Sequence, residues 1–172
     1  MESASPLQPD LITTLGYLCL GSRLKRLGER MQAGVAQHLA ARGDAVQPAQ
    51  LPLLRALHLD GPMTINALSD RVGISQPGVS RAIATLEELG LVASLADAHD
   101  RRQRRIGIAP PGRALMDDLT RTLFPVVEAA VEQLCSRDGL DFLAEIGRIE
   151  SGLATEPLDG RIGRRMRESG HG

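Results

Sequence analysis

The sequence predicts a mainly α fold: a winged helix-turn-helix with a two-stranded β wing, framed by N- and C-terminal dimerisation helices. Three observations carry this. Apolar residues recur near a 3.6-residue period through most of the chain. Between Thr64 and Leu89 two short helical patterns meet at Gly73. Two short apolar runs then flank a tip carrying Arg101, Arg102, Arg104 and Arg105. A short helix fits the major groove of duplex DNA, and an arginine-tipped hairpin reaches phosphates or the narrower minor groove. Double-stranded DNA is therefore the first expected partner.

The elements follow in order. Residues 1–10 read as a flexible lead with Pro6 and Pro9. From Leu11 to Ala41 apolar residues such as Leu15, Leu18, Leu24, Leu27, Met31, Val35 and Leu39 predict one long amphipathic helix, stopped by Gly43–Asp44. Pro48 opens a second helix reaching Leu59, with Pro52 imposing a kink or a late start. After the Asp60–Gly61–Pro62 turn, Thr64 caps the helix Ile65–Val72, Gly73 ends it in a left-handed conformation, and Ser75 caps the next helix, Gln76–Leu89. On that helix Val79, Ala82, Ile83, Leu86 and Leu89 share one side, and Pro77, Ser80, Arg81, Ala84 and Glu88 share the other. Leu91–Ala96 and Arg104–Ala109 are strand-like, with Asp97–Gln103 as their tip. Beyond Pro110–Pro111–Gly112 a helix runs through Leu115 to Leu134, bent at Pro125. Ser136–Gly139 punctuates it, and Leu140 to Leu153 forms a last amphipathic helix. The segment after Pro157 lacks an apolar period.

The domain plan is accordingly a winged helix-turn-helix over 46–110, a helical dimerisation region over 11–45 and 111–156, and a flexible basic tail over 157–172. The two long amphipathic ends carry more apolar surface than a small winged lobe can cover, which predicts a homodimer.

Composition agrees and excludes rivals. Tyr17, Phe124 and Phe142 are the only aromatic residues, so the core is aliphatic and no stacking platform for single-stranded nucleic acid exists. The net charge of −1 conceals segregation: His99–Arg105 carries +3, and the C-terminal third is rich in carboxylates. Cys19 and Cys135 lie far apart in helix-like stretches, and no secretory or membrane-spanning pattern opens the chain. A cytoplasmic protein with free thiols is expected, with no membrane partner. His38, His58, His99 and His171 show no metal-ligand spacing, and no catalytic triad, phosphate loop or carboxylate pair stands out. Neither a cofactor nor enzymatic activity is expected.

From Pro48 to Leu115 the chain resembles MarR-type (multiple antibiotic resistance) transcriptional regulators. The resemblance lies in the helix-turn-helix with Gly73 at its turn, the Leu-Glu-Glu-Leu-Gly-Leu-Val exit at Leu86–Val92, and the wing pattern Asp97-x-x-Asp100-Arg101-Arg102 followed by Ile106-x-Ile108 and Gly112. It implies a symmetric dimer whose two winged lobes read the halves of a pseudo-palindromic operator. It further implies Arg102 in the minor groove, Asp100 holding the wing by charge-assisted contacts, and a small-molecule effector bound between the dimer and DNA-binding regions. Pro52 and Ala109 depart from the family, which often has an aromatic or long residue and a threonine there.

The expected DNA-contacting residues are Ser75, Gln76, Ser80, Arg81, Arg101, Arg102 and Arg104, with Asp100 structural in the wing. Arg81 suits guanine or phosphate. Strand alternation places Arg104 and Arg105 on opposite faces, which leaves one of them a structural role. The function expected is a homodimeric repressor released by a small molecule. Two alternatives remain: a thiol-based redox regulator using Cys19, and a winged-helix protein-interaction module. Cys19 lies about three residues from the position of the family's peroxide-sensing cysteine, and Tyr17 is the one tyrosine available, which favours a packing role.

Overall fold

The computed structural model describes residues 10–96, 104–136 and 141–170. The chain divides between Thr122 and Leu123 into two compact units.

In the first unit the N-terminal helix predicted as continuous is interrupted. Leu11–Thr14 forms α1, Gly16–Cys19 forms a 3₁₀ turn, and Leu20–Arg42 forms α2. Gly16 takes a positive φ of 55°, which a continuous helix does not permit. Asp10 fastens this start: its carboxylate accepts from Thr13 N at 2.9 Å and pairs with Arg26 of α2 at 2.5 Å. The Arg26 guanidinium holds the Asp10 carboxyl below its ordinary value. Gly43 ends α2 in the left-handed conformation, as its position predicts. Pro48–Gln50 is a 3₁₀ turn and α3 spans Leu51–Asp60, so the helix starts late, with Pro52 in its first turn where no N–H is needed.

Met63–Thr64 forms a short strand, β1, which sequence patterning did not reveal. Then come α4 (Ile65–Val72), α5 (Gln76–Glu88), β2 (Val92–Ala96) and β3 (Arg104–Ile108). The sheet is antiparallel in the order β1-β3-β2, so the expected two-stranded wing, β2–β3, gains β1 as an added edge strand. Two residues carry too little periodicity to read, and β1 exists because β3 offers a free edge: Met63 faces Ile106 and Thr64 faces Arg105.

The core is aliphatic, as the composition requires. Leu39 of α2, Leu54 and Leu57 of α3, Leu68 of α4, Val79 and Leu86 of α5 and Ile106 of β3 are each fully buried. Burying one such side chain contributes about 1.5–3 kcal/mol. The helix α6, Pro110–Thr122, adds Met116 and Leu119 to this core. Polar seams border it: Arg42 bonds Asp44 at 2.8 Å and also pairs with Asp118, and Arg55 donates to Thr120 at 2.8 Å.

The predicted bend at Pro125 is a full break. Proline lacks the N–H that would continue α6 and crowds the carbonyl one turn earlier, so α6 stops at Thr122 and α7 restarts at Phe124, ending at Cys135. The second unit continues with α8 (Phe142–Thr155), capped by Asp141, whose carboxylate accepts from Ala144 N at 3.0 Å. Beyond Pro157 the expected irregular tail is helical: α9 spans Leu158–Ser169. Leu158, Ile162 and Met166 repeat every four residues along it, and Arg161 donates to the Glu156 and Gly152 carbonyls at 2.9 and 2.7 Å, satisfying the end of α8. None of the described residues of α7, α8 or α9 is buried within the single chain.

Gly112 fixes how α6 leaves the sheet. A Cβ there would stand 2.1 Å from the Leu91 carbonyl oxygen, which already accepts the Ala109 amide at 2.9 Å. Replacing Gly112 by alanine is expected to destabilise the protein by about 1–3 kcal/mol through overpacking. A thermal melt reads this directly, and an unchanged midpoint would show that the contact yields without cost.

Candidate nucleic-acid interface

The α4–α5 pair is built by local chemistry. Thr64 caps α4 by accepting from Ala67 N at 3.2 Å, and Gly73 takes φ 68° to turn the chain. Ser69 closes the turn: its hydroxyl donates to the Ile74 carbonyl at 2.6 Å. Sequence reasoning missed this residue, since a serine inside a helix usually reads as solvated surface. Ser75 occupies the N-cap position of α5 but makes no side-chain cap bond, contrary to expectation. Pro77 explains much of this, because it removes the second-position N–H that a serine cap commonly engages. The Ser75 carbonyl still accepts from Val79 N at 2.9 Å, and the Ser75 hydroxyl stays exposed at the positive end of the helix.

Packing then orients α5. Val79, Ile83 and Leu86 are buried, so Gln76, Ser80, Arg81 and Ala84 face outward, as the sequence periodicity predicts. The Arg81 guanidinium makes no hydrogen bond or ion pair among the described residues. Thr85, one turn beyond Arg81, is also exposed and was not singled out from sequence. Its hydroxyl donates to the Arg81 carbonyl at 3.3 Å, a bond that leaves its oxygen able to accept.

The wing separates its arginines by face. In the β2–β3 register Ser94 pairs with Ile106 and Ala96 with Arg104, and Leu95 pairs with Arg105. Ser94, Arg104 and Ile106 therefore share the face that packs on α5, and Arg105 lies on the other. Arg104, expected to contact DNA, keeps an exposed side chain and also pairs within the fold: it meets both carboxylate oxygens of Glu87 at 2.7 and 2.5 Å and donates to the Ser94 hydroxyl. Arg105 donates to the Pro62 carbonyl at 2.6 Å. Both of these arginines thus have bonds within the fold. Asp100, Arg101 and Arg102 lie outside the described residues.

Glu87 stands in the Leu86–Val92 motif, but sequence reading gave it no role. Its signal was present: a carboxylate in the last turn of a helix sits at the negative end of the dipole and calls for a cation. The Arg104 guanidinium, helped by the Ser94 hydroxyl, holds the Glu87 carboxyl below its ordinary value.

The remaining expectations concern metals, thiols and membranes. Among the described residues no cluster of three or more histidine, cysteine or acidic side chains is placed to hold a metal. Both cysteines are free thiols of intermediate exposure. Cys19 ends the 3₁₀ turn in which Tyr17 is 93% exposed, and no hydroxyl–thiol contact links the two. No helix among the described residues is long and apolar enough to cross a membrane.

Comparison with known proteins agrees with this geometry. Residues 45–103 match the MarR family model. The HTH-type transcriptional regulator FarR of Neisseria gonorrhoeae is 25% identical over 108 residues, covering 60% of this chain and 73% of FarR. Among solved structures, the S. aureus MepR–DNA complex aligns with a TM-score of 0.60 at 22% identity, over 78% of this chain and 93% of MepR. The C80S variant of E. coli MarR in complex with operator DNA aligns with a TM-score of 0.65 at 15% identity, over 84% and 98% of the two chains. The chain thus shares the fold of these solved regulators, and its residues 45–103 are similar to the MarR family.

Because Arg81 is exposed and its guanidinium makes no bond among the described residues, replacing it with alanine should leave stability within about 0.5 kcal/mol yet change base preference in a random-duplex selection. An unchanged preference would make Arg81 a solvated surface residue.

Proposed function

We propose, from the MarR-type domain over residues 45–103, that this chain is a sequence-specific double-stranded-DNA-binding transcriptional regulator that acts as a homodimeric repressor and is released by a small molecule. One observation carries the reading: α5 presents Gln76, Ser80 and Arg81 on the side opposite its buried Val79, Ile83 and Leu86. These are side chains that read base edges and phosphates in a major groove. Ser75 adds an exposed hydroxyl at a helix N-terminus, a place where phosphate binds readily.

Apolar surface supports the dimer. Leu11, Leu18, Leu134, Leu143, Leu158 and Met166 are each at least 60% exposed in the single chain, at its two ends. A soluble protein covers such surface with a partner, and a second copy is the common one. Two α5 helices would then enter successive major grooves about 34 Å apart. Arg101 and Arg102 would flank them, Arg101 on phosphate and Arg102 in the minor groove, with Asp100 bracing the wing. Repression follows from occupying the promoter in the cytoplasm, and a ligand that changes the spacing of the two lobes ends it.

Arg102→Ala tests the wing. It should weaken binding to a selected operator by about 1–3 kcal/mol while the protein stays dimeric. Unchanged affinity in a fluorescence titration would remove the wing from the interface.

A further inference from the structure

Only a short turn joins α5 to the hairpin. Gly90 (φ 68°) follows Leu89, and Leu91 N returns to the Leu86 carbonyl at 2.9 Å. Gly90 thus takes the left-handed position that ends α5, and the Leu91 bond closes the turn, with Val92 buried just beyond it. Farther along the hairpin a closed polar ring ties it to the helix. Ser94 of β2 donates to Glu87 Oε1 at 2.7 Å, Arg104 of β3 meets both Glu87 oxygens, and the Arg104 Nε donates to Ser94. Helix and both strands each contribute one member.

We propose that Glu87 and Arg104 are positioning residues: their contact, with Ser94, sets the angle of the hairpin against the C-terminal end of α5, so that helix and wing meet a single duplex together. This rests on the DNA-binding reading above and assigns Arg104 to the fold and not to phosphate. Two features favour it. The Nε and Nη2 groups of Arg104 are engaged by Ser94 and Glu87. A Glu87 carboxylate without its cation would also place a negative charge beside the DNA-facing surface, where phosphate is repelled. The Glu87 side chain is 26% exposed and that of Arg104 61%, so the ring lies at the surface with its carboxylate as the more covered member.

The contact has a defined pH window. A carboxyl held below its ordinary value stays ionised through neutral and mildly acidic pH, and the ring is lost only as pH falls through that lowered value.

Affinity for a selected operator duplex, measured at several salt concentrations, tests the assignment with Glu87→Ala, Glu87→Gln, Arg104→Ala, the double alanine variant and the charge swap E87R/R104E. Positioning predicts that each single alanine variant weakens binding by about tenfold and that the double variant is no worse than either. It also predicts an unchanged salt slope for Arg104→Ala, and recovery in the swap. If Arg104 instead holds a phosphate, its removal lowers the salt slope by about one and Glu87→Ala tightens binding; that result overturns the proposal, as do additive effects or unaltered affinity. Hydrogen exchange of the β2–β3 amides, in protein without DNA, gives a second readout, with Glu87→Gln used should the alanine variant unfold. Faster exchange in the variants supports the lock, and unchanged exchange overturns it. A wild-type protein that binds no duplex selectively defeats the regulator reading instead, and the exchange measurement then still decides whether the ring holds the hairpin.

Discussion

The burial of Val79, Ile83 and Leu86 of α5, in a core where α5 packs on α4, with its buried Leu68, and on β2, is the constraint on which the interface depends. These side chains leave α5 one way to sit, and that placement turns Gln76, Ser80 and Arg81 outward. Truncating a buried leucine of this kind costs about 2–5 kcal/mol, whereas an exposed polar residue costs little to change. The helix is thus held by one face and free to evolve its recognition on the other.

Around that core, polar contacts refine angles that packing leaves loose. Ser69 ties the turn to Ile74, Gly112 lets α6 approach Leu91, and Glu87 with Arg104 and Ser94 spans the turn at Gly90 between α5 and the hairpin. Each acts across a place where the chain reverses. Arg105 does the same on the opposite face of the sheet, through the Pro62 carbonyl. Such contacts matter to a reader of duplex DNA because helix and hairpin must meet one rigid partner at once.

The sequence made the fold class, the α4–Gly73–α5 turn and the outward face of α5 legible, because burial periodicity and glycine stereochemistry are local properties. It did not reveal β1, whose two residues become a strand only through pairing with β3, nor the uncapped Ser75, which depends on the proline two positions later. The break at Leu123 was read as a bend, since a proline signals interruption without fixing its extent. The α9 helix was hidden by Gly160 and Gly163, which lower helix propensity, although Leu158, Ile162 and Met166 mark one face. Arg104 was expected on DNA because a run of arginines at a hairpin reads as a cationic tip, and its contact with Glu87 was not foreseen. Its partner Glu87 lies 17 residues earlier, a separation that spacing rules do not bridge.

The central claim is that two copies of α5 read one duplex. Measuring the mass of the protein–DNA complex formed on a selected operator, with its protected bases mapped, tests it most directly. The account predicts two chains per site and two protected half-sites about one helical turn apart. One chain per duplex, or protection spread evenly over unrelated sequences, would contradict it.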